Sequence, residues 1–179
     1  MISYAITDPS TLSFKSLTGD LKRFSTKADI IVYRDKLNLN YKINAKLFIE
    51  EAKKFPFQKI LLHTDIYLAS QLNADGVHLT SLDLDKIILA KSLNLFVVVS
   101  THTIKEAEEA QKLGADMVTF SPIFNTPNKG KPIGLYAIKE LSKVINIPII
   151  ALGGVITKEQ IKECQEYGAF GFASIRYFK

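Results

Sequence analysis

Eight short apolar runs recur along the chain about every 22 residues, and this recurrence constrains the fold more than any other feature. The runs are Ile2–Ile6, Ile30–Tyr33, Ile60–Leu62, Gly76–Leu79, Leu95–Val99, Met117–Phe120, Ile147–Leu152 and Phe170–Ile175. Most are β-branched or aromatic, and several are apolar at almost every position, as strands covered on both faces must be. The segments between them have helical spacing. Ile43, Leu47, Phe48 and Ala52 share one face, as do Ala107, Ala110 and Leu113. Thr103 precedes Glu106 by three residues and Thr157 precedes Gln160 by three, the form of a capping box. Gly114 and Gly168 stand where a left-handed residue would end a helix. A doubly wound open sheet uses fewer strands, so eight strands alternating with helices predict a closed (β/α)8 TIM barrel.

The 179 residues are read as one domain spanning residues 1–179, short for a fold that usually begins near about 200 residues. After the eighth run only Arg176, Tyr177, Phe178 and Lys179 remain, barely one helical turn. The expected barrel is therefore compact, with its eighth helix missing or truncated. Such a gap would bare apolar sheet between the seventh and first helices, so a homodimer or a partner chain is expected to cover it. No apolar stretch approaches 18 residues, which predicts no membrane span, and the start lacks the pattern of a secretory signal. One cysteine, Cys164, suits a reducing cytoplasm. The net charge is +5, but the lysines are scattered over many helices without a basic stripe. That distribution predicts small anionic substrates and no nucleic-acid partner.

In this fold the chemistry gathers where the strands end. Gly153 and Gly154 follow the seventh run, where backbone N–H groups can approach a phosphate. The turn at Ile175 and Arg176 adds further donors and a charge. Arg34 and Lys36 alternate on an extended segment and so point to one side, suiting a diphosphate. The loop Ser121–Ile133, rich in proline, asparagine and lysine, reads as a lid over an anionic substrate. Asp83 suits either a Mg²⁺ ligand or a helix N-cap. His78 lies in an apolar run and is expected in the core, while His63 and His102 are expected at the mouth.

Taken together, VYRDK (32–36), ADGVHL (74–79), STHT (100–103), SPIFNTPNK (121–129), IALGGVIT (150–157) and GAFGFASI (168–175) resemble the ordered motifs of the thiamine-phosphate synthase and thiazole tautomerase family. The resemblance implies a transferase that joins hydroxymethylpyrimidine diphosphate to thiazole phosphate and releases pyrophosphate with Mg²⁺. By that resemblance Arg34, Lys36, Ser100 and Lys129 are the catalytic candidates. Thr126, Gly153, Gly154, Ile175 and Arg176 would bind substrate, and Asp83 would bind the metal. His63 and Asn128, where the family carries other residues, are added as substrate-binding candidates from their place at the mouth and on the lid. The chain also departs from the pattern. Val32 replaces a pyrimidine-contacting glutamine, and Asn128 replaces the lid's second threonine. His63-Thr64 replaces an Asn-Asp pair, so Thr64 stands where the second metal carboxylate would be, with His63 or Asp65 left to compensate. Two alternatives stay open on these residues. One is a thiazole tautomerase-like enzyme, against which Pro122 speaks because that branch carries a histidine there. The other is a non-catalytic barrel that binds a phosphate ligand beside a degenerate pyrimidine and metal site.

Overall fold

A computed structural model describes all residues from Met1 to Lys179. The strands are β1 (Ile2–Ile6), β2 (Ile30–Tyr33), β3 (Lys59–His63), β4 (Gly76–Leu79), β5 (Phe96–Thr101), β6 (Met117–Phe120), β7 (Ile149–Leu152) and β8 (Gly171–Ser174). They pair in parallel in chain order, and β8 closes on β1 with Ser3 opposite Phe172. Between them lie α1 (Leu17–Ser25), α2 (Tyr41–Ala52), α3 (Ile66–Gln71), α4 (Ile87–Ser92), α5 (Ile104–Lys112), α6 (Leu135–Leu141) and α7 (Lys158–Glu166). A 3-10 segment, Ser81–Lys86, precedes α4, and a 3-10 turn, Arg176–Phe178, follows β8. The predicted closed barrel is thus the observed architecture. No helix is long and apolar enough to cross a membrane.

The near-uniform apolarity of the strands has two addresses. Tyr4, Ile6, Ile30, Val32, Leu61, Val98, Met117, Ile150 and Ala173 fill the barrel interior. The alternate residues, such as Ile31, Leu62, Val77, Val99 and Phe172, join a much larger cluster with the inner faces of the helices. Most of the apolar surface is therefore buried between sheet and helices, and the interior is left with room for a few polar side chains.

The helix ends follow the predicted chemistry and extend it. The capping boxes of Thr103 with Glu106 and Thr157 with Gln160 form, and a third joins Thr80 to Asp83. Gly114 and Gly168 take φ of +98° and +99°. Asn73 and Asn94 do the same work after α3 and α4, with φ of 52° and 59°. In each case the next residue donates its N–H to a carbonyl five residues back, as Ala74 does to Ala69 and Ala115 to Ala110. Strand limits shift slightly: β7 begins at Ile149 because Pro148 has no N–H to give the ladder.

The absence of a helix after β8 is as expected, but the expected bare sheet is not found. Phe178 is only 2% exposed and stacks on Phe172, with ring centroids 5.9 Å apart, while Phe24 of α1 lies 6.3 Å away. The Arg23 guanidinium donates to the Phe178 carbonyl and to the Thr11 carbonyl. Phe178, with Tyr177 at 5.1 Å from the Phe172 ring, thereby covers Phe172 on the outer face of β8.

Candidate active site

The C-terminal strand ends enclose two adjoining cavities. The first, about 370 Å³, is lined by Arg34, Lys36, His63, His78, Ser100 and Lys129, and also by His102, Thr80 and Ser81. The second, about 450 Å³, is lined by Asp8, Ser10, Gly153, Gly154, Ser174 and Arg176. Thr126, Leu152, Gly153 and Ile175 line both, so the two form one continuous mouth with an apolar saddle between polar ends.

Arg34, Lys36 and Lys129 reach the first cavity from the β2 end and the β6 loop. None of them forms an ion pair: Asp35, the obvious partner, instead accepts a hydrogen bond from Asn38. The Arg34 charge, then burial, then Lys129 lower the Lys36 ammonium below its ordinary value. Three uncompensated cations around one cavity repel one another until an anion arrives. His63 is mostly enclosed, and burial together with Arg34 and Lys36 brings its imidazole down to about 4. It is neutral at pH 7, and its ring nitrogens hold no protein partner within hydrogen-bonding distance.

Below these groups the barrel interior carries a polar column. The Tyr4 hydroxyl lies 2.6 Å from His78 Nδ1, and His78 Nε2 lies 2.7 Å from Ser100 Oγ. Burial takes the His78 imidazole down to about 3. His78 is thus buried, as its apolar run suggests, yet it also forms part of the cavity wall.

The second cavity is built on Gly153 and Gly154. The N–H groups of Gly153, Gly154 and Ile175 make no hydrogen bond within the protein, and they border this cavity beside Arg176. The glycines have a second duty that the sequence does not display. Their φ values are +93° and +72°, and a Cβ on Gly153 would sit 2.7 Å from Pro122 Cα. One on Gly154 would sit 2.6 Å from the Asn125 carbonyl oxygen. This close approach lets Ile123 and Phe124 donate to the carbonyls of Leu152 and Gly153, each at 2.9 Å. The lid base is pinned to β7, and its rim carries Thr126 and Lys129 over the mouth. Asn128, at φ 60° on that rim, lines neither cavity.

Asp83 does not point its charge into the mouth. Its Oδ2 accepts from the Thr80 backbone N–H at 3.1 Å and the Thr80 hydroxyl at 2.5 Å, and its Oδ1 meets Lys86 Nζ at 2.5 Å. Burial opposes ionisation there, but the hydrogen bonds from Lys86 and Thr80 hold the carboxyl below its ordinary value. Asp65 caps α3 by accepting from Leu68 N–H. Thr64 presents only a hydroxyl, which donates to the His63 carbonyl. No three His, Cys, Asp or Glu side chains converge. This donor set does not fit a Mg²⁺ ion held by two carboxylates. The N-cap expected at Asp83 is instead Thr80, and Asp83 closes that capping box from the third helical position.

Comparison with known proteins adds to this geometry. The family described as thiamine monophosphate synthase matches residues 3–178. A putative thiamine-phosphate synthase 2 of Aquifex aeolicus is 41% identical over 122 residues, 66% of this chain and 65% of that one. Over 180 residues a thiamine-phosphate synthase of Clostridium novyi is 33% identical, covering 96% of this chain and 87% of the relative. A solved thiamine phosphate pyrophosphorylase from Pyrococcus furiosus superposes with a TM-score of 0.83 at 26% identity, covering 97% of this chain and 85% of that one.

Proposed function

The chain belongs to the thiamine monophosphate synthase family, and we propose that it works as a thiamine-phosphate synthase-like transferase, joining hydroxymethylpyrimidine diphosphate to thiazole phosphate. The observation that carries this reading is the pairing of two anion-receptive cavities in one mouth. One presents three unpaired cations and the other presents free backbone N–H groups.

In this reading Arg34, Lys36 and Lys129 hold the diphosphate, with Ser100 donating from below. Gly153, Gly154 and Ile175 hold the thiazole phosphate through their N–H groups, and Arg176 adds charge. Thr126 and the saddle residue Leu152 lie between them. The bond between the pyrimidine methylene carbon and the diphosphate oxygen breaks, and its electron pair leaves with pyrophosphate. The thiazole nitrogen then supplies the pair for the new C–N bond. The cations stabilise charge where it accumulates on the leaving group, which is where fixed electrostatics are most effective. The apolar saddle and the pinned lid exclude water from the carbocation-like carbon. No step is assigned to a protein-held metal, because Asp83 and Asp65 are occupied elsewhere. His63 takes the place beside the pyrimidine, as a neutral ring able to donate and accept.

Residues 1–179 are taken as one barrel domain, and its partners as small phosphorylated molecules. A cytoplasmic setting is supported by the single cysteine, Cys164, whose buried thiol is pushed up to about 12. Incubation of the purified protein with both phosphorylated precursors, with and without Mg²⁺, tests the reading. Formation of thiamine phosphate and pyrophosphate is expected. No product at stoichiometric enzyme would refute catalysis, and calorimetry with thiazole phosphate alone would then show whether the second cavity binds it.

A further inference from the structure

The polar column beneath the mouth is ordered by hydrogen-atom bookkeeping. Tyr4 comes from β1, His78 from β4 and Ser100 from β5, so three separate strands converge on the barrel axis. Tyr4 is fully buried, and its hydroxyl has one polar neighbour, His78 Nδ1. A phenolic hydrogen left without an acceptor in that interior would be strongly unfavourable, so the hydroxyl donates to Nδ1. A neutral imidazole accepting at Nδ1 carries its proton at Nε2, which then donates to Ser100 Oγ. Thr119, also fully buried, donates its hydroxyl to the same oxygen at 3.4 Å, its only side-chain hydrogen bond. Both lone pairs of Ser100 are then occupied, and its own hydrogen is left for the cavity that it shares with Arg34 and Lys36.

We propose that Tyr4, acting through His78, is a positioning residue that locks Ser100 as a hydrogen-bond donor toward the anionic group held in the first cavity. This rests on the diphosphate reading of that cavity and deepens it. A locked donor favours a ligand whose oxygens are all acceptors and disfavours one that presents a hydroxyl or amine at that point. It also removes His78 from acid–base duty: its proton is committed to Ser100 and its other nitrogen to Tyr4.

Long-range ¹⁵N–¹H correlation spectra of the labelled protein test the column directly. The expected result is His78 in the Nε2-protonated tautomer. In Tyr4→Phe the tautomer should become mixed or reverse, and affinity for inorganic pyrophosphate should fall about tenfold, as for one hydrogen bond to a charged acceptor. Ser100→Ala should cost a similar factor in the parent protein but almost nothing further in the Tyr4→Phe background. An Nδ1-protonated His78 in the parent, or fully additive losses, would overturn the proposal while leaving the diphosphate reading standing. Failure of the parent protein to bind pyrophosphate would overturn both. If Tyr4→Phe does not fold, the parent spectrum and Ser100→Ala decide: the tautomer must be Nε2-protonated, and affinity must drop while His78 keeps it.

Discussion

Both sides of the mouth are rich in polar groups but use them differently. On the side of β2 and the β6–β8 loops, Arg34, Lys36 and Lys129 lack counterions, and the Gly153, Gly154 and Ile175 N–H groups lack acceptors. On the side of β3 and β4, the open His63 ring apart, polar groups are consumed locally. Asp83 is tied to Thr80 and Lys86, Asp65 to the start of α3, and Thr64 to the His63 carbonyl. Polar groups left open at a strand end serve a ligand, and those already satisfied serve the fold. The first side leaves groups open that suit anions, whereas on the second Asp83 and Asp65 take part in helix capping.

The largest test of this contrast is acidification. His63 and His78 sit at about 4 and about 3, below the ordinary histidine value of about 6.5. The unfolded chain therefore binds protons that the folded protein refuses. The stability linked to these rings is fully present above about pH 6.5 and drains away as the pH falls toward 4 and then 3. The expected loss is on the order of several kcal/mol, read as a falling midpoint in thermal or urea unfolding. An unfolding midpoint unchanged between pH 7 and pH 4 would show that the rings are already protonated, or are hydrated rather than enclosed.

A crossed pair of substitutions comes next. Arg34→Ala should weaken inorganic pyrophosphate binding by about 2 kcal/mol, roughly thirtyfold, with little change in unfolding. Asp83→Ala should do the reverse, lowering stability by about 1 kcal/mol through loss of the capping box. Its pyrophosphate affinity should follow the parent's whether Mg²⁺ is added or chelated. If Asp83→Ala instead abolished a Mg²⁺-dependent gain in affinity, the β4 end would be a ligand site after all.

The smallest effect expected is a gain. Thr64 holds φ at 61°, a left-handed conformation that a β-branched residue resists. Thr64→Gly should raise stability by about 1 kcal/mol in equilibrium unfolding, with pyrophosphate affinity unchanged.

Much of this molecule is legible in its residues. Apolar runs bounded by polar turns identify every strand to within two residues at either end, because a strand covered on both faces has no alternative composition. The basic pair at Arg34 and Lys36 and the glycines at 153 and 154 are visible because their neighbours define strand ends. What is hidden depends on partners distant in sequence. His78 sits in an apolar strand and reads as core, because Tyr4 is 74 residues away and Ser100 is 22 away. The tight fit between Gly154 and the Asn125 carbonyl has no local signature either. Asp83 differs: Thr80 three residues before it repeats the pattern of Thr103 and Glu106, so its capping role was open to view beside the metal reading. Phe178 escapes notice because one aromatic at a chain end carries no periodicity.

The open cations at the rim act before any contact is made. Arg34 is partly exposed and Lys36 and Lys129 are exposed, so their field extends into solvent about 8 Å at physiological ionic strength. Together with the +5 charge of the chain, this makes the mouth a funnel for polyanions. Capture of a diphosphate should therefore slow as salt is added, while its escape, governed by contacts already formed, should change far less.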